Sequence, residues 1–261
     1  MTNAKYIAAV LLALSVCASS PAALGQLVAA VKTIAPLIKT AKALPDSEIV
    51  SLAKLGSKSG GTREISIAVG KLNLPSEVIE DTYARIAIQQ GKLSRADAEG
   101  VLTRLQGTPG LRSTLSKIAG ASDVKTSGHL NELKIADAAA QHRFKVKGIG
   151  VQFNDQIKSV PTDIDVLIER GGKTFAIEAK DYAASTPIPL DAFRADMNSL
   201  AQYVKLNPQS RVIPVFSLTR MPTDALAWKI LSREADKRGV QLIVGTPEQQ
   251  IIQLRQLQEI L

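Results

Sequence analysis

Thr162-Asp163-Ile164-Asp165-Val166-Leu167-Ile168, then Gly171-Gly172, then Thr174-Phe175-Ala176-Ile177-Glu178-Ala179-Lys180: this stretch settles the fold class of the chain. Its first piece alternates polar and apolar side chains, the two-residue period of a strand, and its third is the partner strand. The glycine pair between them is a two-residue hairpin turn. In the first strand Asp163 and Asp165 share a face, opposite Ile164 and Val166; in the second, Glu178 and Lys180 share a face. Working outward, Gly128 to His142 reads as a helix with Leu130, Leu133, Ile135 and Ala139 among its apolar positions, and Lys145 to Phe153 alternates as another strand. Downstream come a helix at Leu190 to Lys205, a strand at Arg211 to Leu218, a helix at Pro222 to Lys237, a buried strand at Val240 to Val244 and a closing helix at Pro247 to Glu259. The order α-β-β-β-α-β-α-β-α predicts an α/β fold, a mixed central sheet flanked by helices. The hairpin supplies antiparallel pairs, and the later crossover helices favour parallel ones.

The preceding half reads as a run of short helices. Pro45-Asp46-Ser47 opens one that ends between Gly56 and Gly61, and Thr62 to Leu72 is a second. Pro75-Ser76-Glu77 opens a third, closed at Gly91. Ser94 caps a fourth, with Asp97 three residues on and Gly107 as its stop; Thr108-Pro109 begins a fifth that fades at Gly120. Ala121 to Ser127 is small and polar and reads as a linker. Leu27 to Leu44 reads as an amphipathic helix kinked near Pro36.

The first residues carry the pattern of an export signal: Lys5, an apolar run from Tyr6 to Val16, and small residues through Ala23. The run is shorter than the roughly 20 apolar residues that a membrane span requires. Cleavage after Ala22 or Gly25 fits the small-residue requirement; an uncleaved anchor helix, or lipidation at Cys17 behind the rather large Val16, are the alternatives. The organisation is then a signal peptide over 1–22, a helical region over 23–121 and a sheet-containing domain over 128–261, with no stable membrane span expected in the mature chain.

Cys17 is the only cysteine and leaves with the signal, so the mature chain has no disulfide, thiolate nucleophile or cysteine zinc site. His129 and His142 are the only histidines, which excludes a multi-histidine metal centre. Aromatics make up 4% of the residues, too few for a single-strand binder that stacks bases on exposed rings. The net charge of +8 lies mostly in residues 1–127, so charge alone does not mark the second half as binding a polyanion.

The chemistry is concentrated in the hairpin. Asp163, Asp165, Glu178 and the Lys180 ammonium converge where both strands run out of apolar residues. Neighbouring carboxylates raise one another's pKa unless a cation neutralises them. Mg²⁺ or Mn²⁺ answers that need with oxygen ligands, leaving positions for water and a phosphate oxygen. The bland alternative is a charged solvent face with surface ion pairs, which contribute little. Against it, Glu178 and Lys180 interrupt the apolar run Phe175-Ala176-Ile177 in what should be a central strand, where burying charge is costly.

In these residues the chain resembles the PD-(D/E)XK nuclease superfamily, marked by an Asp on one strand and Glu-x-Lys on the next within an αβββαβ, restriction-endonuclease-like core. The resemblance covers about Gly128 to Leu218. It implies that Asp165 and Glu178 are metal ligands and Lys180 the catalytic lysine, with Asp163 a secondary ligand candidate. Several subfamilies add a Glu from the opening helix; Glu132, in Gly128-His129-Leu130-Asn131-Glu132, fits that role, and equally a capping or surface glutamate. Exonuclease-like members carry Gln and then Tyr four residues later on the helix after Glu-x-Lys. Here Gln202 is followed directly by Tyr203, so that spacing is not met and Tyr203 reads as a packing residue. His129 can reach a phosphate or lie on the surface, His142 suits a helix end, and Trp228 reads as core.

The resemblance implies a Mg²⁺-dependent (or Mn²⁺-dependent) endonuclease acting on DNA or RNA. With an export signal and a helical region ahead of it, the layout is similar to secreted bacterial toxins, whose partner is a cognate immunity protein. A repair, restriction or junction-resolving nuclease is a second reading, and a catalytically inactive nuclease-fold binding protein a third. The exported form is expected to begin at Ala23 or Gln26 and to contain no cysteine. Intact-mass measurement of that form checks this, and a full-length mass retaining Met1 contradicts it.

Overall fold

A computed structural model describes residues 43–56, 61–120, 123–154 and 162–260. The export signal, Cys17 and nearly all of the helix expected at Leu27 to Leu44 lie outside the described residues. Five short helices come first: α1 (Asp46–Gly56), α2 (Gly61–Gly70), α3 (Ser76–Gln89), α4 (Arg95–Leu105) and α5 (Leu111–Gly120). Then follow α6 (Asp123–Gln141), β1 (Lys145–Phe153), β2 (Thr162–Arg170), β3 (Lys173–Lys180), α7 (Leu190–Leu206), β4 (Arg211–Leu218), α8 (Ala225–Asp236), β5 (Gln241–Val244) and α9 (Pro247–Ile260). The chain is an α/β protein, a helical region followed by a mixed five-stranded sheet with interspersed helices.

The described residues fall into two compact units. One runs through Leu102 and includes Leu115–Thr126; the other joins Thr103–Thr114 to Ser127–Leu261. In the first, Ile65, Val69, Tyr83, Ile86, Leu115 and Ile118 are fully or almost fully buried. Arg85 ties the start of α1 to α3 by donating to the Leu44 carbonyl and to Asp46, each at 2.6 Å. Ser94 caps α4 as its position before the apolar run requires: its Oγ accepts from Asp97 N–H at 3.0 Å.

The expected linker is not one over Asp123–Ser127, which form the first turns of α6. No Gly or Pro occurs between Asp123 and Ser127 to stop a helix. Gly128, read as the helix start, is an internal helical glycine whose missing Cβ faces open space.

In the second unit the strand order is β1-β2-β3-β4-β5. β1–β2 and β2–β3 are antiparallel, β3–β4 and β4–β5 parallel, so β3 is the central strand. Gly171 and Gly172, at φ +58° and +74°, make the hairpin turn with the two positive φ values that a primed turn demands. One face of the sheet carries Leu167, Ala176 and Phe216 beneath Phe193, Met197 and Leu200 of α7, with Leu231 and Ala235 of α8 in the same cluster. Val166, Ile168, Phe175, Ile177 and Val215 alternate with those residues and are fully buried on the other face, where the Phe144 ring after α6 meets Phe175 edge-on. Both faces are covered, so the strands read as nearly continuous apolar runs. Trp228 packs against the α7–α8 cluster and Tyr203 lies edge-on to Phe153, both as packing residues.

β1 is an edge strand, and Pro109 meets it: Ile149 N–H donates to the Pro109 carbonyl at 2.9 Å. Gly110 follows at φ +86°, and a Cβ there would lie 1.7 Å from the Ile149 carbonyl oxygen. Gly107, at φ +76°, faces open space. Gly107→Ala therefore meets only the left-handed backbone cost, about 1 kcal/mol. Gly110→Ala must also move backbone, and should cost about 3 kcal/mol or more. Urea denaturation of the two variants checks this, and equal losses would contradict the close approach.

Candidate active site at the parting of two strands

The site arises from a failure of strand pairing. The β2–β3 register ends at Val166↔Ile177, one step short of Asp165 and Glu178. Beyond that point the Asp165 side chain stands in for the missing carbonyl: its Oδ2 accepts from Ala179 N–H at 2.7 Å. Strict alternation of β2 does not survive the parting. Ile164 and Leu167, three residues apart, both belong to the cluster under α7, although a two-residue period would send them to opposite faces.

Each expected site residue has a definite place. Glu178 sits on the central strand, 8% exposed. Lys180, next on the same strand face, donates to Glu178 Oε1 at 2.5 Å. Glu132 is 9% exposed and lies well inside α6, so it is neither a cap nor a surface residue. Its charge reaches Asp165, and its Oε1 is 3.0 Å from His129 Nδ1, which makes His129 a partner of the cluster. Asp163 lies above Gly150 of β1, where a Cβ would be 3.9 Å from its Oδ2, and its charge reaches Glu178. His142 follows the last residue of α6, and its carbonyl accepts from Arg170 Nη1 at 2.7 Å.

The residue not expected from the sequence is Asp196 of α7, whose Oδ2 is 2.9 Å from Lys180 Nζ. A signal was present: Asp196 falls between Phe193, Met197 and Leu200, on the stripe that faces the sheet. A carboxylate in that position has no packing purpose.

Glu178 and Asp196 thus hold Lys180, the Lys180 charge also acts on Asp165, and Glu132 and Asp163 act on Asp165 and Glu178 respectively. Burial raises Asp165 well above the usual carboxylate range, and the charges of Glu178 and Glu132 add to the rise against the Ala179 N–H and Lys180. Burial pushes Glu178 up to about 7; Lys180 opposes this, while Asp196 and Asp163 add to it. For Lys180 burial works against the charge, but Glu178 and Asp196 outweigh it and hold the ammonium protonated. Compared with known family models, curated proteins and solved structures, the chain matches none.

Oxygen is the donor type that Mg²⁺ and Mn²⁺ prefer, and the excess negative charge has the sign a divalent cation offsets. Asp165, Glu178 and Glu132, with Asp163 beside them, are the residues that fit such an ion in kind. Among the described residues no three acidic or histidine side chains are already drawn together at ligating distance. The Lys180 ammonium lies on Glu178 instead.

A stability test follows from the Glu178 shift. A carboxyl whose ordinary value is 4.5 and whose folded value is about 7 binds its proton more tightly in the folded chain. Its stabilising contribution is therefore complete below the unfolded value and is lost as pH rises through the folded one. In EDTA, wild type should lose stability between about pH 5 and about pH 8, whereas Glu178→Gln should lose less and exceed wild type at about pH 8 by on the order of 2–3 kcal/mol. Urea denaturation at both pH values decides it; a variant less stable than wild type at the higher pH contradicts the assignment.

Proposed function

We propose that the domain from about Gly128 is a Mg²⁺- or Mn²⁺-dependent endonuclease that hydrolyses phosphodiester bonds of DNA or RNA, and that the protein is an exported bacterial toxin paired with an immunity protein. The observation that carries the first part is the gathering of Asp165, Glu178 and Lys180 at the parting of β2 and β3, with Glu132 brought to them from α6. The order αβββαβ over α6 to β4 supports the resemblance to the PD-(D/E)XK nucleases. The export signal and the helical region ahead of the domain support the toxin reading from sequence.

The residues divide the work. A bound divalent ion would supply an activated water and a positive centre for a phosphate oxygen. Asp165 and Glu178 hold that ion, with Glu132 and Asp163 as further oxygen donors. Ala179 N–H fixes one oxygen of Asp165, which leaves the other for the ion. The Lys180 ammonium, kept protonated, is placed to hold a phosphate oxygen or orient the attacking water as negative charge builds in the transition state. Burial of Glu178 keeps bulk water from screening these interactions.

Glu178→Ala and Asp165→Ala should abolish cleavage of DNA or RNA, while Lys180→Ala should keep metal binding and slow cleavage by roughly 10²–10³-fold. The assay uses the purified mature chain with Mg²⁺ or Mn²⁺ and with EDTA. Activity that survives EDTA, or that is unchanged in Glu178→Ala, overturns the mechanism.

A further inference from the structure

We infer that Asp196 is a positioning residue for Lys180, receiving the ammonium when a divalent ion displaces it from Glu178. This rests on the metal-dependent reading above and adds a residue that the resemblance does not supply. Lys180 Nζ is 2.5 Å from Glu178 Oε1 and 2.9 Å from Asp196 Oδ2, so one ammonium bridges β3 and α7. The two ends differ: the Glu178 side chain is 11% exposed, whereas Lys180 and Asp196 are each 28% exposed. The Glu178 end is the inner one, and Asp196 stands towards solvent.

An ammonium has three donors and can hold both carboxylates at once. A divalent ion arriving on Glu178 would repel the ammonium held on the same carboxylate, because like charges on one group oppose each other. The Lys180–Glu178 contact is therefore the one that gives way as the ion arrives. Asp196 makes that exchange possible without stranding the ammonium: one contact is given up and the other kept. The lysine then remains within a side chain's reach of the ion and of the phosphate it is to meet. Lys180 is in this sense the resident cation of the ion-free site, and Asp196 its second berth.

The experiment is calorimetric titration with Mn²⁺ of the full chain, its Lys180→Met and Asp196→Asn variants, and the double variant, each checked for folding by thermal unfolding. Lys180→Met removes the competing cation and should bind Mn²⁺ roughly tenfold more tightly, the worth of one charge-assisted contact. Asp196→Asn leaves Lys180 wholly on Glu178 and should bind roughly tenfold more weakly. The double variant should match Lys180→Met, because without the lysine there is nothing for Asp196 to receive. Asp196→Glu, which keeps the carboxylate, should restore affinity to near that of wild type, and carries the test if Asp196→Asn does not fold. An Asp196→Asn affinity equal to wild type overturns the inference. So does a weakening that persists undiminished in the double variant, which would make Asp196 one more negative charge near the ion. Failure of Asp196→Glu to restore affinity also overturns it. Folded wild type that binds no Mn²⁺ overturns the metal-dependent reading itself, and the exchange falls with it.

Discussion

A single hydrogen bond, from Ala179 N–H to Asp165 Oδ2, marks the constraint on which the site depends. Where two antiparallel strands separate inside a protein, backbone groups lose their partners, and a buried unpaired N–H costs as much as a lost hydrogen bond. Asp165 meets that need with a carboxylate oxygen instead of a carbonyl. It does so one residue beyond the last ladder pair, Val166↔Ile177. The gap is thereby held open and lined with charge, and the central strand can present Glu178 and Lys180 into it. A fully paired hairpin would have carried the same side chains on a flat face.

The site is electrostatically unfinished. Glu178 and Glu132 act on Asp165, Asp196 and Asp163 act on Glu178, and Lys180 lies between Glu178 and Asp196; the burial that makes these interactions strong also makes the charges costly. The apolar packing on both faces of the sheet, with Phe175, Ile177 and Phe216 fully buried, offsets that cost. A site of this kind is expected to weaken the fold locally and to gain from a bound cation, since a ligand that binds only the folded chain stabilises it.

Much of this was legible because the sequence is locally consistent. The bounds of β1 follow from alternation and those of β4 from its apolar run, and Gly171-Gly172 names its own turn. What escaped did so for physical reasons. Alternation assumes an unbroken ladder, and β2 pairs with β3 only from Val166 onward; Ile164, before that point, lies in the same cluster as Leu167. The linker reading of Asp123–Ser127 weighed small polar composition over the absence of a stop signal, and the helix runs through. Asp196 is signalled only by a charge on the apolar stripe of α7, which no spacing of Gln and Tyr on that helix points to. Glu132 was undecidable from letters, since only packing says which turn of α6 faces the strands.

The position of the site within the sheet has a further cause. β3 and β4 run parallel and end together at Lys180 and Leu218, and the carboxyl ends of parallel strands are where crossover loops leave room for a ligand. Here those loops brace one another. Thr219 N–H donates to the Lys180 carbonyl at 3.1 Å, Tyr182 N–H donates to Thr219 Oγ1 at 2.7 Å, and Thr223 N–H donates to the Ala184 carbonyl at 3.0 Å. On the inner side Ser217 Oγ donates to the Glu178 carbonyl at 3.3 Å. The backbone that carries Glu178 and Lys180 is thus anchored on both sides. The ammonium itself is held at both ends, by Glu178 on the strand and by Asp196 on α7, so the frame and the charge at its centre are tied together.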